Sequence, residues 1–344
     1  MTDERAKRIA ELIRPLRVKP GSVVHLPGER YDPAWKADVL KKKDGVELLR
    51  TGIRLLADYQ SRLAAQKRNG VVVCLQALDA GGKDGTIRHV MSGVNPQGVR
   101  VSSFKVPSSE ELDHDYLWRY ARRLPARGEI GIFNRSHYEE VLVVRVHPEI
   151  LARQKLPDEA EGGRLWHRRY GQINEWERYL TENGFKVVKL FLNLSKEEQR
   201  QRFLKRIDRP EKNWKFSSAD ARERLRWEDY QEAFSHMLSA TSTEWAPWYV
   251  IPADRKWFAR ICAAAVLAHT LMEIDPQYPT VDEDARLQLL TAKGELEAEA
   301  PEGAAADPYE AELARHGGHR RDEAAGNAVA ETAGAAAPAA GSPT

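Results

Sequence analysis

Leu75 to Thr86 reads LQALDAGGKDGT. It follows RNGVVVC, an apolar run rich in β-branched residues, and it precedes IRHVMSGV, which can open a helix. A Gly-Gly-Lys between a strand and a helix predicts a phosphate cradle, because backbone N–H groups converge there with a helix N-terminus behind them. Two positions depart from the usual G-x-x-x-x-G-K-[ST]: Ala77 replaces the first Gly, and Asp84 replaces the Mg²⁺-binding hydroxyl. The first Gly is the less demanding of the two. Asp84 puts a negative charge beside a polyanion, so it must point away, or the metal must be held elsewhere.

The candidate phosphate contacts here are Ala80, Gly81, Gly82, Asp84, Gly85 and Thr86. Gly81, Gly82 and Gly85 permit a tight backbone and leave room for an anion. Lys83 supplies a flexible point charge for a phosphoryl group in transfer. Asp79, at the end of the strand, is placed to hold a metal ion or orient an acceptor. Taken alone, the degenerate motif also fits a glycine-rich turn that holds nothing; the flanking strand and helix favour phosphate.

Around this loop, apolar runs alternate with helical patterns. Strands are expected at Val71–Leu78, Val99–Val106, Glu129–Phe133, Phe185–Leu194 and Trp248–Pro252. Helices are expected at Val46–Lys67, Glu110–Arg123, Arg169–Glu182, Lys196–Ile207, Ala219–Ala240 and Lys256–Ile274. Ser108 and Glu111 form a capping-box pattern. The alternation predicts an α/β fold with helices on both faces of a parallel sheet, whose ligands bind beyond the carboxyl ends of the strands.

Two further stretches carry charge. EIGIFNRSHYEEVL contains Asn134 where a P-loop kinase usually places a metal-binding acid, then Arg135, which can grip a phosphate bidentately, and Glu139. His137 and His147 have no partner near them in sequence and read as surface or core residues. Residues 200–230 hold ten Lys and Arg, interrupted by Pro210, Trp214 and the helix-starting Ser217 to Asp220. They predict two helices joined by a cationic turn, able to close over phosphates as a lid.

The chain of 344 residues carries +2 overall. From Thr291 onward it carries −6, which leaves +8 on residues 1–290. The basic part suits an anionic partner. Cys74 and Cys262 lie in apolar runs and read as core residues of a reduced, cytoplasmic protein. The N-terminus is charged from the start and carries no secretory pattern. The apolar stretch Ile261–Ile274 is too short to span a bilayer. The expected organisation is an N-terminal arm over 1–45, a catalytic domain over 46–275 and a mostly disordered tail over 276–344.

Together LQALDAGGKDGT, KVPSSEELDHDYLWRYARRLPARGEIGIFNRSHYEEVL and KRIDRPEKNWKFSSADARERLRWEDY resemble the family-2 polyphosphate kinases over roughly residues 15–275. The resemblance implies a P-loop kinase-like three-layer α/β/α fold with a mostly parallel five-stranded sheet and a helical lid. It implies transfer of the terminal phosphate of inorganic polyphosphate to AMP or ADP with Mg²⁺, giving ADP or ATP, by a dimer or tetramer with no membrane or nucleic-acid partner. It makes Asp79, Lys83, Arg135 and Arg206 catalytic. Arg88, Lys205, Arg209, Lys212 and Lys215 join the loop as polyphosphate contacts. Asn134, Glu139 and Arg222 become nucleotide contacts, and Asp79 and Asn134 metal ligands. Other members carry F-D-R-S-W-Y-N where this chain has FNRSHYE, so Asn134 and Glu139 depart from that pattern. The competing readings are an ATP-dependent nucleoside-monophosphate kinase, separable by its phosphate donor, and a nucleic-acid-binding module, for which no stacking motif is visible.

Overall fold

Every neighbouring pair of strands in the sheet runs parallel. The computed structural model describes residues 2–37, 41–157, 164–214 and 216–299. The strands are β1 Gly70–Gln76, β2 Val99–Ser103, β3 Ile130–Asn134, β4 Phe185–Asn193 and β5 Trp248–Pro252, in spatial order β2-β3-β1-β4-β5. β1 is central and buried along its whole length. That is why it reads as nearly unbroken Val, Cys and Leu instead of alternating.

Its side chains still obey the period of two. Val71, Val73 and Leu75 join a core with Leu56 and Leu63 of helix Lys42–Gln66 and with Phe258, Cys262 and Val266 of helix Lys256–Ile274. Val72 and Cys74 face the other way, toward Phe133 and Leu180. On that second side lie helices Leu165–Glu182 and Trp227–Thr241. The expected three-layer fold is therefore present.

Helix Lys256–Ile274 is longer than its most apolar part. By length and composition alone it is long enough to cross a membrane, yet most of it is buried under the sheet. The two cysteines are free and buried, as expected.

Two elements differ from the sequence expectation. The helix expected over Glu110–Arg123 is two single turns, Ser109–Leu112 and Trp118–Ala121. The Ser108–Glu111 capping box does form. Between the turns the Asp115 carboxylate accepts the Leu117 amide at 2.9 Å, a local bond that competes with helix continuation. The helix expected over Ala219–Ala240 breaks at a 3₁₀ turn, Arg224–Arg226, where Arg224 is drawn to the Lys196 carbonyl and the Gln199 side chain, both at 2.8 Å. The chain divides into two units, Met1–Pro279 and Thr280–Thr344. In the second, Glu283–Ala298 is a helix capped by Asp282, at the start of the tail expected to be mostly disordered. The rest of the tail, 300–344, lies outside the described residues.

On the side of the sheet that carries helix Leu165–Glu182 sits an ion pair. Lys189 of β4 and Glu177 of helix Leu165–Glu182 have no exposed side-chain surface and meet at 2.6 Å. The Lys189 ammonium also donates to the Tyr138 hydroxyl at 2.9 Å and the Thr241 carbonyl at 2.5 Å. The other Glu177 oxygen accepts Tyr138 at 2.7 Å and His137 Nε2 at 3.2 Å. Burial pushes the His137 pKa down, which keeps the ring neutral. His147 also has carboxylate partners, Glu149 at 2.8 Å and Glu223 at 2.7 Å.

Candidate active site

From β1 the chain crosses to β2 and β3 on one side and then to β4 and β5 on the other, so the crevice beyond β1 is a switch point. Residues 77–82 fill it. Gly82 caps helix Lys83–Val90 at φ +100°, a left-handed conformation that penalises any side chain. Gly81 is needed for space: a Cβ there would stand 2.6 Å from the Ala77 Cβ and 2.8 Å from the Leu78 carbonyl oxygen. Ala80 is itself left-handed, at φ +60°. A Cβ on Gly85 would have space, with no described atom outside its own helix backbone and chain neighbours within 4 Å. The Thr86 amide makes the first helical bond, to the Gly82 carbonyl at 2.9 Å, so the helix itself offers no acceptor to the amides of Lys83, Asp84 and Gly85.

Charged groups from β1 and β3 converge on this loop, because the register sets Asn134 level with Leu75. Lys83 Nζ donates to the Ala77 carbonyl at 2.7 Å. Burial and the neighbouring Arg135 cation bring its pKa down to about 8. Arg135, at φ +63°, spans Asp79 at 3.1 Å and Glu139 at 3.2 Å. The Glu139 charge raises the Arg135 pKa further. Asp84 is exposed, and its carboxylate accepts Asn134 Nδ2 at 2.9 Å. This resolves the anomaly in the motif: Asp84 is directed to the second motif. Gln76, with its amide turned so that all its bonds are satisfied, donates to the other Glu139 oxygen at 2.9 Å and accepts from Ser136.

Among the described residues no group of three or more His, Cys, Asp and Glu forms a metal cage. A phosphate-bound Mg²⁺ needs less: one or two carboxylates, with phosphate oxygens and water completing the octahedron. Asn134 bonds Asp84, and Asp79 bonds Arg135, the residue after Asn134, so the carboxylates and the carboxamide present here are of the kind such an open site takes.

The predicted lid divides by geometry. Lys205 and Arg206 occupy the last turn of helix Lys196–Ile207. Arg206 faces Asp220 at 3.9 Å, inside the lid. Arg209 and Lys212 are exposed, and Lys215 lies outside the described residues. Arg222 donates to the Ser218 hydroxyl at 3.4 Å. Arg224, not singled out as a contact in the sequence, lines a cleft of about 510 Å³ together with Asp79, Arg135, Glu139, Glu223 and Tyr230.

Arg88 is exposed, and its charge, after burial, helps lower the Arg260 pKa. Lys256, one turn before Arg260, is lowered by burial and by the cations of Arg202, Lys205 and Lys212. Lys256 and Arg260 therefore extend the basic surface between Arg88 and the lid. Their only sequence signal is a four-residue spacing at the start of an otherwise apolar helix.

Residues 39–279 match the family described as Polyphosphate kinase 2. The chain is 53% identical over 268 residues to an ADP-polyphosphate phosphotransferase of Rhodopseudomonas palustris, covering 78% of this chain and 91% of that protein. It is 46% identical over 264 residues to an AMP/ADP-polyphosphate phosphotransferase of Meiothermus ruber, covering 76% and 94%. The fold is similar to the crystal structure of polyphosphate kinase 2 from Arthrobacter aurescens TC1, with a TM-score of 0.72, 39% identity, and coverage of 80% of this chain and 95% of that one.

Proposed function

The chain belongs to the polyphosphate kinase 2 family, and we propose that it transfers the terminal phosphate of inorganic polyphosphate to AMP or ADP at the crevice beyond β1. One observation carries this reading at the level of residues: Lys83, Arg135 and Asp79 converge at the start of a glycine-capped helix.

The acceptor is an oxygen of the nucleotide's own terminal phosphate, already ionised, so no nucleophilic side chain has to be activated. That oxygen bonds to the terminal phosphorus of the polyphosphate as the next P–O bond along the chain breaks, and the shortened polyphosphate leaves with the electron pair. What the protein supplies is alignment and countercharge. Outward amides at the helix start hold the donor. The Lys83 ammonium and the Arg135 guanidinium balance charge on the phosphoryl oxygens. Asp79 and Glu139 fix the Arg135 fork, which otherwise swings on its flexible stem. A Mg²⁺ held by Asp79 and Asn134, with Asp84 beside them, would screen the two phosphates from each other. The Arg224 side of the cleft, with Tyr230, receives the nucleotide.

The donor assay tests this reading. The full chain with Mg²⁺, AMP and polyphosphate is expected to form ADP, and with ADP to form ATP. Product only when ATP or GTP is the donor would replace the reading with a nucleoside-monophosphate kinase.

The pKa of Lys83 gives a second expected result. Its useful form is the cation, and its pKa lies near 8 in the folded protein. The value of kcat/KM for polyphosphate should therefore fall as pH rises through about 8, and Lys83→Arg should push that limb upward. The effect on stability has the opposite sign. Burial penalises the Lys83 cation in the folded state, so that cost stands in full below about pH 8 and is relieved as pH climbs toward the ordinary lysine range. A pH profile with no change in the alkaline limb of Lys83→Arg would remove Lys83 from that role.

A further inference from the structure

We propose that Arg202 and Gln199 are positioning residues that hold the carbonyls of the phosphate loop turned away from the donor and tie that orientation to the lid. The proposal rests on the phosphate reading of residues 77–83.

A trans peptide presents its carbonyl on one side and the next N–H on the other. Loop amides can face an anion only if the preceding carbonyls face away and find donors there. Three consecutive carbonyls do so. The Asp79 carbonyl accepts Gln199 Nε2 at 2.9 Å. The carbonyls of Ala80 and Gly81 accept Arg202 Nη1 at 3.0 and 3.1 Å. The amides opposite them belong to Ala80, Gly81 and Gly82. That of Gly81 turns back to the Leu78 carbonyl at 3.0 Å, which leaves Ala80 and Gly82 directed at the donor side.

Arg202 belongs to the basic run of the lid by sequence but not by role. It is 6% exposed. Its Nη2 donates to the carbonyls of Ala253 at 2.5 Å and Asp254 at 3.3 Å, just beyond β5, and its Nε to Glu198 at 2.8 Å. A guanidinium has five N–H donors, and here five bonds use them. No donor is left for substrate, so Arg202 acts through the backbone it grips, including Ala80 in its left-handed conformation. A lysine, with three donors, cannot replace this fork.

The link to the lid runs through Gln199. Its Oε1 accepts Arg224 Nη1 at 2.8 Å, and Arg224 sits on the far leg of the lid hairpin. Gln199 and Arg202 are one helical turn apart on the inner face of helix Lys196–Ile207, whose last turn carries Lys205 and Arg206. Displacing that helix moves the loop carbonyls with it.

The test uses the full chain and three substitutions: Arg202→Lys, Gln199→Leu, and Arg200→Ala as a control, since Arg200 is exposed and pairs with Glu197. With polyphosphate as donor, Arg202→Lys should lower kcat by about 10²-fold, the loss expected when a reacting group is misplaced by about 1 Å. KM for the nucleotide should stay within about threefold, because the nucleotide side is untouched. Gln199→Leu, which frees one carbonyl instead of four, should lose about tenfold and should fold even if Arg202→Lys does not.

A second readout follows the loop directly. In ¹⁵N-glycine-labelled protein the Gly82 amide resonance should shift when tripolyphosphate is added, and this shift should shrink in Arg202→Lys and Gln199→Leu but not in Arg200→Ala. Normal kcat in folded Arg202→Lys or Gln199→Leu overturns the proposal. So does a wild-type-like Gly82 response in either. A wild type that consumes polyphosphate without any Gly82 response overturns the positioning role alone; a wild type with no turnover overturns the functional reading beneath it.

Discussion

Replacement of Lys83 by Met is expected to lower polyphosphate-dependent ADP formation by at least about 10²-fold, the loss typical of removing one group that stabilises transition-state charge. Methionine keeps the length and the apolar stem, so packing at the helix start is nearly preserved. What disappears is the ammonium that bonds the Ala77 carbonyl at 2.7 Å and stands beside Arg135. Burial already disfavours that cation, so its removal should leave the thermal midpoint unchanged or slightly higher. Activity and stability should thus move apart, as expected of a group kept for chemistry rather than for the fold. Asp79→Asn should lose activity to a similar extent. It retains the shape of the side chain but gives up the charge facing Arg135, which keeps only Glu139. Steady-state turnover with polyphosphate, measured beside a melting curve, decides the matter. Activity within a few-fold of the wild type in a folded Lys83→Met protein would show that the loop has been misassigned.

Glu177→Leu carries the largest expected effect on stability, a loss of about 3–5 kcal/mol, because it strands the Lys189 charge where no water reaches it. The same change removes the acceptor of Tyr138 and His137. Burial alone would raise the Glu177 pKa, yet Lys189 and His137 hold it below the usual range. The carboxylate therefore adds stability that is present above the ordinary glutamate range and lost as pH falls through its lowered value. Removing both charges should be far milder. The double variant Glu177→Leu with Lys189→Met replaces an ion pair with apolar volume and should recover most of the loss. Urea unfolding of the two single variants and the double one measures this directly. A Glu177→Leu protein within about 1 kcal/mol of the wild type would mean that Lys189 is not held as a buried cation.

Much of the molecule is written in local pattern. The β-branched run before the loop, the Gly-Gly-Lys, and the alternation of apolar runs with helical periods specify a parallel sheet with a glycine-rich loop at its switch point. Strand Trp248–Pro252 and helices Lys196–Ile207 and Lys256–Ile274 lie where their sequences place them. These elements are legible because their hydrogen bonds join residues a few positions apart, or follow a period that the apolar residues repeat. The break at Asp113 to Leu117 shows the limit of that rule, since within it the Asp115 side chain takes the Leu117 amide where the pattern continues a helix.

The working contacts are of another kind. Asp84 meets Asn134 across fifty residues, Asp79 meets Arg135 across fifty-six, and Arg202 meets Ala80 across more than a hundred. Along the basic run of the lid, charge and spacing by themselves do not tell Arg202, Arg206, Arg222 and Arg224 apart. The fold buries the first against loop carbonyls, faces the second to Asp220, leaves the third outside and brings the fourth into the cleft. Lys189 reads as one residue of a strand until the helix above it supplies Glu177. Periodicity states which face of its own element a side chain occupies. What waits on that face depends on how separate elements are set against one another, through strand register and crossover geometry, and no short stretch of sequence encodes that.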